Sequence, residues 1–352
     1  MKRFLQYFNR DSINPVLAKL FFYEYWPVWV MYFPAFFYWL YLSIRAKSLT
    51  YMVTANPGLE NGGAFGTSKG HLLSKIDQAY KARTMLVNIS TTYSDFLEQF
   101  INSHFLFPII CKPDEGERGY RVSKVFSFDE LENYFKSSPA NFIIQEFISL
   151  PEEYGVLFYR YPSGKVGITS FTTKNFLRVT GNGLLTVQQL MEKSTRAKMQ
   201  IKRLLQERPK LLKYIPNDGE EILVEPIGNH CKGTQFINVN HLITEQLIET
   251  FDKITKPIGG FYYGRFDLKV SSLEDLYQGK NIKVVELNGT NSEPTHIYSP
   301  EMNIVKAYKA IFHNMKIVFE IAMENKSKGI KSPSVFLIAK KVNQYFNSRT
   351  KN

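Results

Sequence analysis

The chain reads as an α+β protein with a helical, aromatic segment ahead of its globular region. Three observations predict this. Short apolar, β-branched runs closed by Pro, Asp or Ser recur between residues 106 and 287, which is strand behaviour. Between them lie stretches with helical spacing and an acidic first turn. Ahead of both, residues 21–44 hold thirteen Phe, Tyr or Trp in twenty-four positions, including all three tryptophans. A length of 352 residues makes one large domain or two small ones, and 44 % hydrophobic with 22 % charged residues excludes wholesale disorder, collagen and coiled coil. The net charge of +12 favours an anionic partner such as a nucleotide, a nucleic acid or a membrane leaflet, without choosing among them. Two cysteines, Cys111 and Cys231, make no disulfide framework, and no cleavable signal pattern is read at the start, so a reducing cytoplasmic setting is expected.

Residues 1–50 are expected to form the aromatic segment. Glu24 is the only formal charge within 21–44, Pro27 and Pro34 interrupt the run, and Trp and Tyr prefer the headgroup boundary. The expectation is a re-entrant or in-plane segment, peripheral on the anionic inner face of the cell membrane. Basic residues flank it: Lys2, Arg3, Arg10 and Lys19 before, Arg45 and Lys47 after. The alternative is an aromatic helix pair packed on the folded body. Residues 51–68 are glycine-rich without an apolar period, hence loop. Residues 69–325 form the globular domain, with strands over 106–114 and 140–148 and a helix over 126–138 between them. Strands around 154–160 and 165–172 follow, then a helical stretch from 186 to 207 and a strand over 222–227. A helix over 243–255, strands over 261–270 and 281–287, and a basic amphipathic helix over 301–323 complete it. Residues 326–352 are a Lys-rich tail or helix, a second membrane contact or a solvated end.

The strongest constellation lies late in the chain. In GRFDLKV, Arg265 and Asp267 alternate on one strand face; nineteen residues beyond Asp267, in KVVELNG, Glu286 and Asn288 do the same. Adjacent strands would bring the four together. Two carboxylates and an amide oxygen suit a hard cation that keeps waters and phosphate oxygens in its shell, Mg²⁺ or Mn²⁺. An arginine beside them suits charge on a transferring phosphoryl group. Taken alone, the same residues also read as a salt bridge on a solvated strand. Upstream, Lys112 closes a strand and enters the turn Asp114-Glu115-Gly116-Glu117-Arg118-Gly119, which can fold backbone N–H groups over a polyphosphate. Many surface hairpins share that pattern. The strand FIIQEFI leads to an exposed acidic pair, Glu152 and Glu153, a layout suited to an adenine against backbone and a ribose against a carboxylate.

Taken in order, these pieces resemble the ATP-grasp superfamily of carboxylate–amine ligases from about Lys69 to Pro300, on the side of D-alanine–D-alanine ligase and cyanophycin synthetase. The Arg-x-Asp … Glu-x-Asn signature and Lys112 with its glycine turn carry the resemblance. The run LRVTGNGLLTVQQLM, 177–191, is similar to an element of the synthetase, with Asn182 where Asp is usual. The resemblance implies an ATP-grasp fold, two α/β subdomains clasping ATP. It implies Lys112 on the α- and β-phosphates, the turn of Glu115, Gly116, Arg118 and Gly119 as phosphate lid, and Glu146, Phe147 and Ile148 as adenine hinge. Glu153, or Glu152 if the turn is one residue shorter, would take the ribose, with Lys69 and Lys174 as further phosphate or substrate lysines. Asp267, Glu286 and Asn288 would bind two Mg²⁺ ions, Glu286 bridging, and Arg265 would steady an acyl phosphate. The implied reaction activates a carboxylate with ATP and gives an amide, ADP and phosphate.

The departures matter too. If Lys69 opens the nucleotide-binding half, residues 1–68 stand where the family has a Rossmann-like domain, so the acceptor pocket differs. NGTNSEPTHIYSP replaces the usual substrate loop, making Ser292, Glu293, Thr295 and His296 candidates for acceptor recognition; His296 reads as a general base or as a histidine hydrogen-bonded inside its loop. His230 and Cys231 in GNHCKGTQF, 228–236, lack the partner pair of a zinc site, and the run reads as a loop over the active site with an ordinary thiol. Two other functions remain open on the same residues: phosphotransfer to a hydroxyl or amine, and a non-catalytic nucleotide-binding, membrane-associated protein. The expected partners are ATP, a carboxylate, an amine and an anionic membrane surface. Nucleic acid is not among them, because no aromatic-basic module of that kind occurs and the excess charge sits at the chain ends.

Overall fold

The structure is a computed structural model that describes residues 13–64, 66–116 and 119–350, the last seven by backbone alone. Two antiparallel sheets organise the body. The first has the order β1-β4-β2-β3, formed by Thr84–Val87 (β1), Ile109–Pro113 (β2), Ser123–Val125 (β3) and Phe142–Glu146 (β4). The second has the order β11-β10-β5-β6-β9, formed by Glu152–Arg160 (β5), Val166–Asn175 (β6), Gln235–Asn238 (β9), Tyr263–Val270 (β10) and Ile282–Asn288 (β11). Arg178–Thr180 (β7) and Glu221–Leu223 (β8) pair separately.

Each sheet buries one face under helices. Nine helices matter below: α1 (Pro15–Phe21), α2 (Val28–Ala46), α3 (Lys69–Ser74), α4 (Tyr93–Asn102), α5 (Phe128–Ser137), α6 (Glu245–Thr255), α7 (Leu273–Gln278), α8 (Ile304–Ser327) and α9 (Val335–Thr350). On the first sheet, Phe96 and Phe100 of α4 and Leu131 of α5 pack on Val87, Ile109, Cys111 and Ile144. Burial pushes the Cys111 thiol up to about 12, so it stays protonated, whereas Cys231 is exposed. On the second sheet, Tyr154, Val156, Phe158, Phe266 and Leu268 meet Leu247 and Phe251 of α6. Strand alternation then turns Glu153, Gly155, Leu157, Tyr263, Arg265 and Asp267 to the other face. One end of that face is apolar, with Leu157 and Tyr263 under Leu42 and Ala46 of α2 and Val318 and Ile321 of α8. The other end is polar.

The expected elements are present with differences that have local causes. The helical stretch over 186–207 breaks into Val187–Met191, Thr195–Lys198 and Ile201–Glu207, the second started by Ser194 in extended backbone. The strand over 222–227 closes at Leu223, because Glu225 is drawn inward to accept from Arg203 at 2.7 Å. The glycine-rich stretch, expected as loop throughout, opens with a helical turn at Tyr51–Thr54 and carries a 3₁₀ turn at Glu60–Gly63, and much of it is buried. Asn56 donates to Tyr263 O and accepts from the N–H groups of Tyr262 and Tyr263, while Gly289 passes so close to Gly63 that a Cβ there would lie 2.5 Å from the Gly63 Cα. Helices α3, α4 and α7, the short helix Pro209–Lys213 and strands β3, β7 and β9 come in addition to the predicted elements.

The aromatic segment forms α1, a short 3₁₀ turn at Tyr23–Tyr25 and α2, which continues through Pro34. Among the described residues no helix is long and apolar enough to cross a membrane. Met31, Ala35, Leu42, Ser43 and Ala46 form the buried side of α2. Trp29, Phe33, Phe37 and Ile44 are 57–74 % exposed. Glu24 is buried and paired with Arg196 at 2.6 Å. Of the flanking basic residues, Lys2, Arg3 and Arg10 lie outside the described residues.

Candidate active site

Strands β10 and β11 run antiparallel with Asp267 opposite Glu286 and Arg265 opposite Asn288, so all four side chains rise from one face. Neighbouring β5 adds Glu153, opposite Lys269, and Gly155, opposite Asp267; β6 adds Lys174. Lys174 Nζ lies 2.6 Å from Glu153 Oε1 and 2.9 Å from Asp267 Oδ1, and Arg265 Nε lies 3.1 Å from Asp267 Oδ2. Gly155 leaves the space for this. A Cβ there would stand 2.8 Å from Thr172 Oγ1 and 3.7 Å from Asp267 Oδ1. Burial alone would raise the Asp267 carboxyl, but Lys174 and Arg265 outweigh it and hold Asp267 well below the usual carboxylate range. Burial likewise works against the Lys174 cation, and Asp267 and Glu153 reverse that and raise it.

The first sheet faces this cluster through Lys112. Its Nζ donates to Gln145 Oε1 at 3.1 Å and to Val285 O at 3.0 Å. Val285 is available because the β10–β11 register shifts there, Asp267 pairing with Glu286 but Leu268 with Val284. Gln145 Nε2 donates to the same carbonyl at 3.2 Å. Burial lowers Lys112 to about 8, with Glu286 pulling the other way.

Lys69 opens α3, capped by Ser68, and its Nζ donates to Gly116 O in the turn. Asp114 ties the two together, Oδ1 accepting from Ser68 Oγ and Gly70 N at 2.9 Å each. Glu115 and Gly116 stand in this turn; Glu117 and Arg118 lie outside the described residues. Gly119, at φ +70°, approaches the loop 227–232 so closely that a Cβ would lie 3.1 Å from Ile227. That loop passes over the cluster: a Cβ at Gly228 would meet Glu153 Oε1 at 2.8 Å and the Lys174 stem at 2.9 Å. The expected hinge connects the two sheets. Glu146 ends β4 and accepts from Arg83 N at 2.8 Å, Phe147 carries Lys124 Nζ 3.5 Å from its ring centroid, and Ile148 is half-buried.

The acidic pair needs correction, and the other candidates take definite places. Glu152 and Glu153 are not an exposed pair in a turn; they begin β5, and alternation separates them. Glu153 turns to the cluster, with its side chain 11 % exposed, while Glu152 turns to the opposite face and accepts from Tyr154 Oη at 2.7 Å. His296 is buried inside its loop, with Nδ1 2.9 Å from Ser170 Oγ, and burial lowers it to about 4. Thr295 is buried against Thr172 at 2.9 Å. Ser292 shapes the turn, its Oγ accepting from Arg265 N at 3.2 Å and donating to Gly289 O at 2.6 Å. Glu293 accepts from Tyr298 Oη at 2.9 Å. Asn182 accepts from the N–H groups of Leu184 and Leu185, so the short side chain closes its own turn.

Among the described residues no three or more His, Cys, Asp or Glu gather for a metal ion. Asp267, Glu286 and Asn288 nevertheless offer oxygen donors of the kind a hard cation takes. They are too few for a dedicated cage, which fits an ion that retains water and phosphate oxygens. Asp267 is held in the ionised form a ligand needs, by Lys174 at Oδ1 and Arg265 at Oδ2.

Solved structures similar to the chain include D-alanine–D-alanine ligase from Bacillus anthracis, at 14 % identity over 74 % of this chain and 68 % of that one, with a TM-score of 0.40. VanG D-Ala:D-Ser ligase from Enterococcus faecalis matches at 11 % identity over 78 % and 62 %, TM-score 0.39. A bifunctional glutathione synthetase from Pasteurella multocida matches at 12 % over 72 % and 38 %, TM-score 0.34. No family model and no curated protein matches the chain.

Proposed function

We propose that the protein is an ATP-dependent ligase of the ATP-grasp kind, which joins a carboxylate to an amine through an acyl phosphate and releases ADP and phosphate. The observation that carries this reading is the β10–β11 register, which sets Arg265, Asp267, Glu286 and Asn288 on one face beside Lys174 and Glu153, with Lys112 reaching in from the other sheet. In this reading Lys112, Lys69 and the 115–119 turn hold the phosphates of ATP, residues 146–148 the adenine and Glu153 the ribose. Asp267, Glu286 and Asn288 hold two Mg²⁺ or Mn²⁺ ions, which when bound supply charge neutralisation on the phosphates. Arg265 and Lys174 stay cationic and neutralise charge on the carboxylate and transferring phosphoryl group. No side-chain nucleophile is required, because the substrate carboxylate attacks. The exposed row Trp29, Phe33, Phe37 and Ile44, with Arg45 and Lys47 at its end, supports a peripheral position on an anionic membrane surface.

The test is ADP release with Mg²⁺ and detergent against pooled amino acids and amines, with mass spectrometry of new products. ADP release that requires both a carboxylate and an amine supports the reading. AMP and pyrophosphate, or ADP with a phosphorylated alcohol, overturn it.

A further inference from the structure

A cavity of about 360 Å³ lies between α2, α8 and the loop that follows β11, within the size range of small-molecule sites. Its walls are apolar, made by Ala35, Phe36 and Trp39 on one side and Ile311, Met315 and Val318 on the other. Its floor is the run 290–294, so it ends beside the candidate active site, where Ser292 holds the backbone N–H of Arg265. Among the described residues, Glu293 is the one charged side chain of the lining. Thr290 Oγ1, also in the lining, is buried without a hydrogen-bond partner. Tyr32 lines the same end, its phenol pushed well above its ordinary value by burial and by Glu293. Phe36 and Val28 belong both to the cavity and to the exposed aromatic surface of α2, which sets the mouth on that surface.

We propose that this cavity takes the hydrocarbon chain of a primary amine whose ammonium sits at Glu293, so that the amine partner of the ligation is a long-chain amphiphile. The last clause rests on the ligase reading; the binding does not. A carboxylate-headed chain would set like charge against Glu293, and a small amino acid would leave the apolar walls uncovered. A chain entering from the aromatic surface passes between side chains of its own polarity and ends at Glu293, the one charged side chain among the described lining residues.

The test uses the full chain without nucleotide and measures binding of octylamine, decylamine, dodecylamine, dodecanoate and dodecanol below their micellar concentrations. Each added methylene should tighten amine binding by about fourfold until the cavity is filled. Dodecanoate should bind at least tenfold more weakly than dodecylamine. Glu293→Gln should cost dodecylamine at least tenfold and leave dodecanol within twofold. Val318→Trp should abolish chain-length dependence, and Phe36→Ala, at an exposed position that folding tolerates, should weaken the longest amine most. Equal affinity for dodecanoate and dodecylamine, no chain-length dependence, or indifference to both cavity variants would overturn the proposal. Turnover separates it from the ligase reading. ADP release confined to short polar amines would remove the proposal and keep the ligase, whereas tight dodecylamine binding with no ADP from any mixture would do the reverse.

Discussion

The strand pair β10–β11 and the helix α2 both present one face to the body, but they achieve it by opposite means. On the strands, polarity alternates with position: Phe266, Leu268 and Leu287 go to the core, and Arg265, Asp267 and Glu286 go to the cluster. On α2 nearly every position is apolar, so polarity decides nothing. The partner helix decides instead. Met31, Ala35, Leu42, Ser43 and Ala46 recur at helical spacing and form the side packed on the body, while Ile44, no larger than Leu42, is left outside with Trp29, Phe33 and Phe37. A face selected by polarity is readable from one sequence; a face selected by its partner needs the partner surface.

That contrast can be broken from either side. The largest effect is expected on the strands. Glu286→Gln should lower turnover about 10³-fold, measured as ADP release, while nucleotide binding by calorimetry stays detectable; full activity would detach the reaction from this strand face. Lys112→Ala should weaken nucleotide binding about ten- to hundredfold. Because burial holds Lys112 at about 8, below its ordinary value, the cation is lost as pH rises through 8. Affinity of the unaltered protein should therefore fall across that range, and the Lys112→Ala profile should be flat. On the helix, Ala46→Leu should cost about 1–3 kcal/mol in chemical denaturation by overpacking the contact with α8. Replacing Trp29, Phe33 and Phe37 together by Ala should change stability by under about 0.5 kcal/mol per site, yet remove sedimentation with anionic vesicles. Retained sedimentation would place the membrane contact elsewhere. The smallest effect concerns acid. The folded-state value of His296, about 4, lies below its ordinary 6.5, so the unfolded chain binds the extra proton first; stability is complete above 6.5 and declines as pH falls towards 4. His296→Asn should shallow that decline.

The site was legible where chemistry follows strand alternation. Arg265, Asp267, Glu286 and Asn288 lie in two short runs whose period of two states their shared face before any pairing is known. Lys112 and the glycine turn were legible as a motif. What holds them was not. Val285 matters through its carbonyl, freed by a register shift, and any residue can supply a carbonyl. Asp114 and Gln145 act across 44 and 33 residues of chain respectively, a separation that no local pattern encodes. The separation of Glu152 from Glu153 depended on where β5 begins, and strand ends are set by pairing rather than by composition. The helix Tyr93–Asn102 does carry local signals, Thr92 accepting from Asp95 N and Phe96 four residues before Phe100, so this helix was legible in the sequence although it is not among the expected elements.

Glu24 has a mechanical meaning beyond its charge. Its bond to Arg196, with His230 Nε2 3.5 Å away, anchors the start of the aromatic segment to the short helix Thr195–Lys198, while α8 holds the rest. Peeling the segment away would leave the largely buried Arg196 guanidinium without its carboxylate. The exposed rings are therefore not a tethered arm that must be straightened on contact; they form a rigid plate, and a plate meets a flat surface without the ordering entropy that an arm would spend.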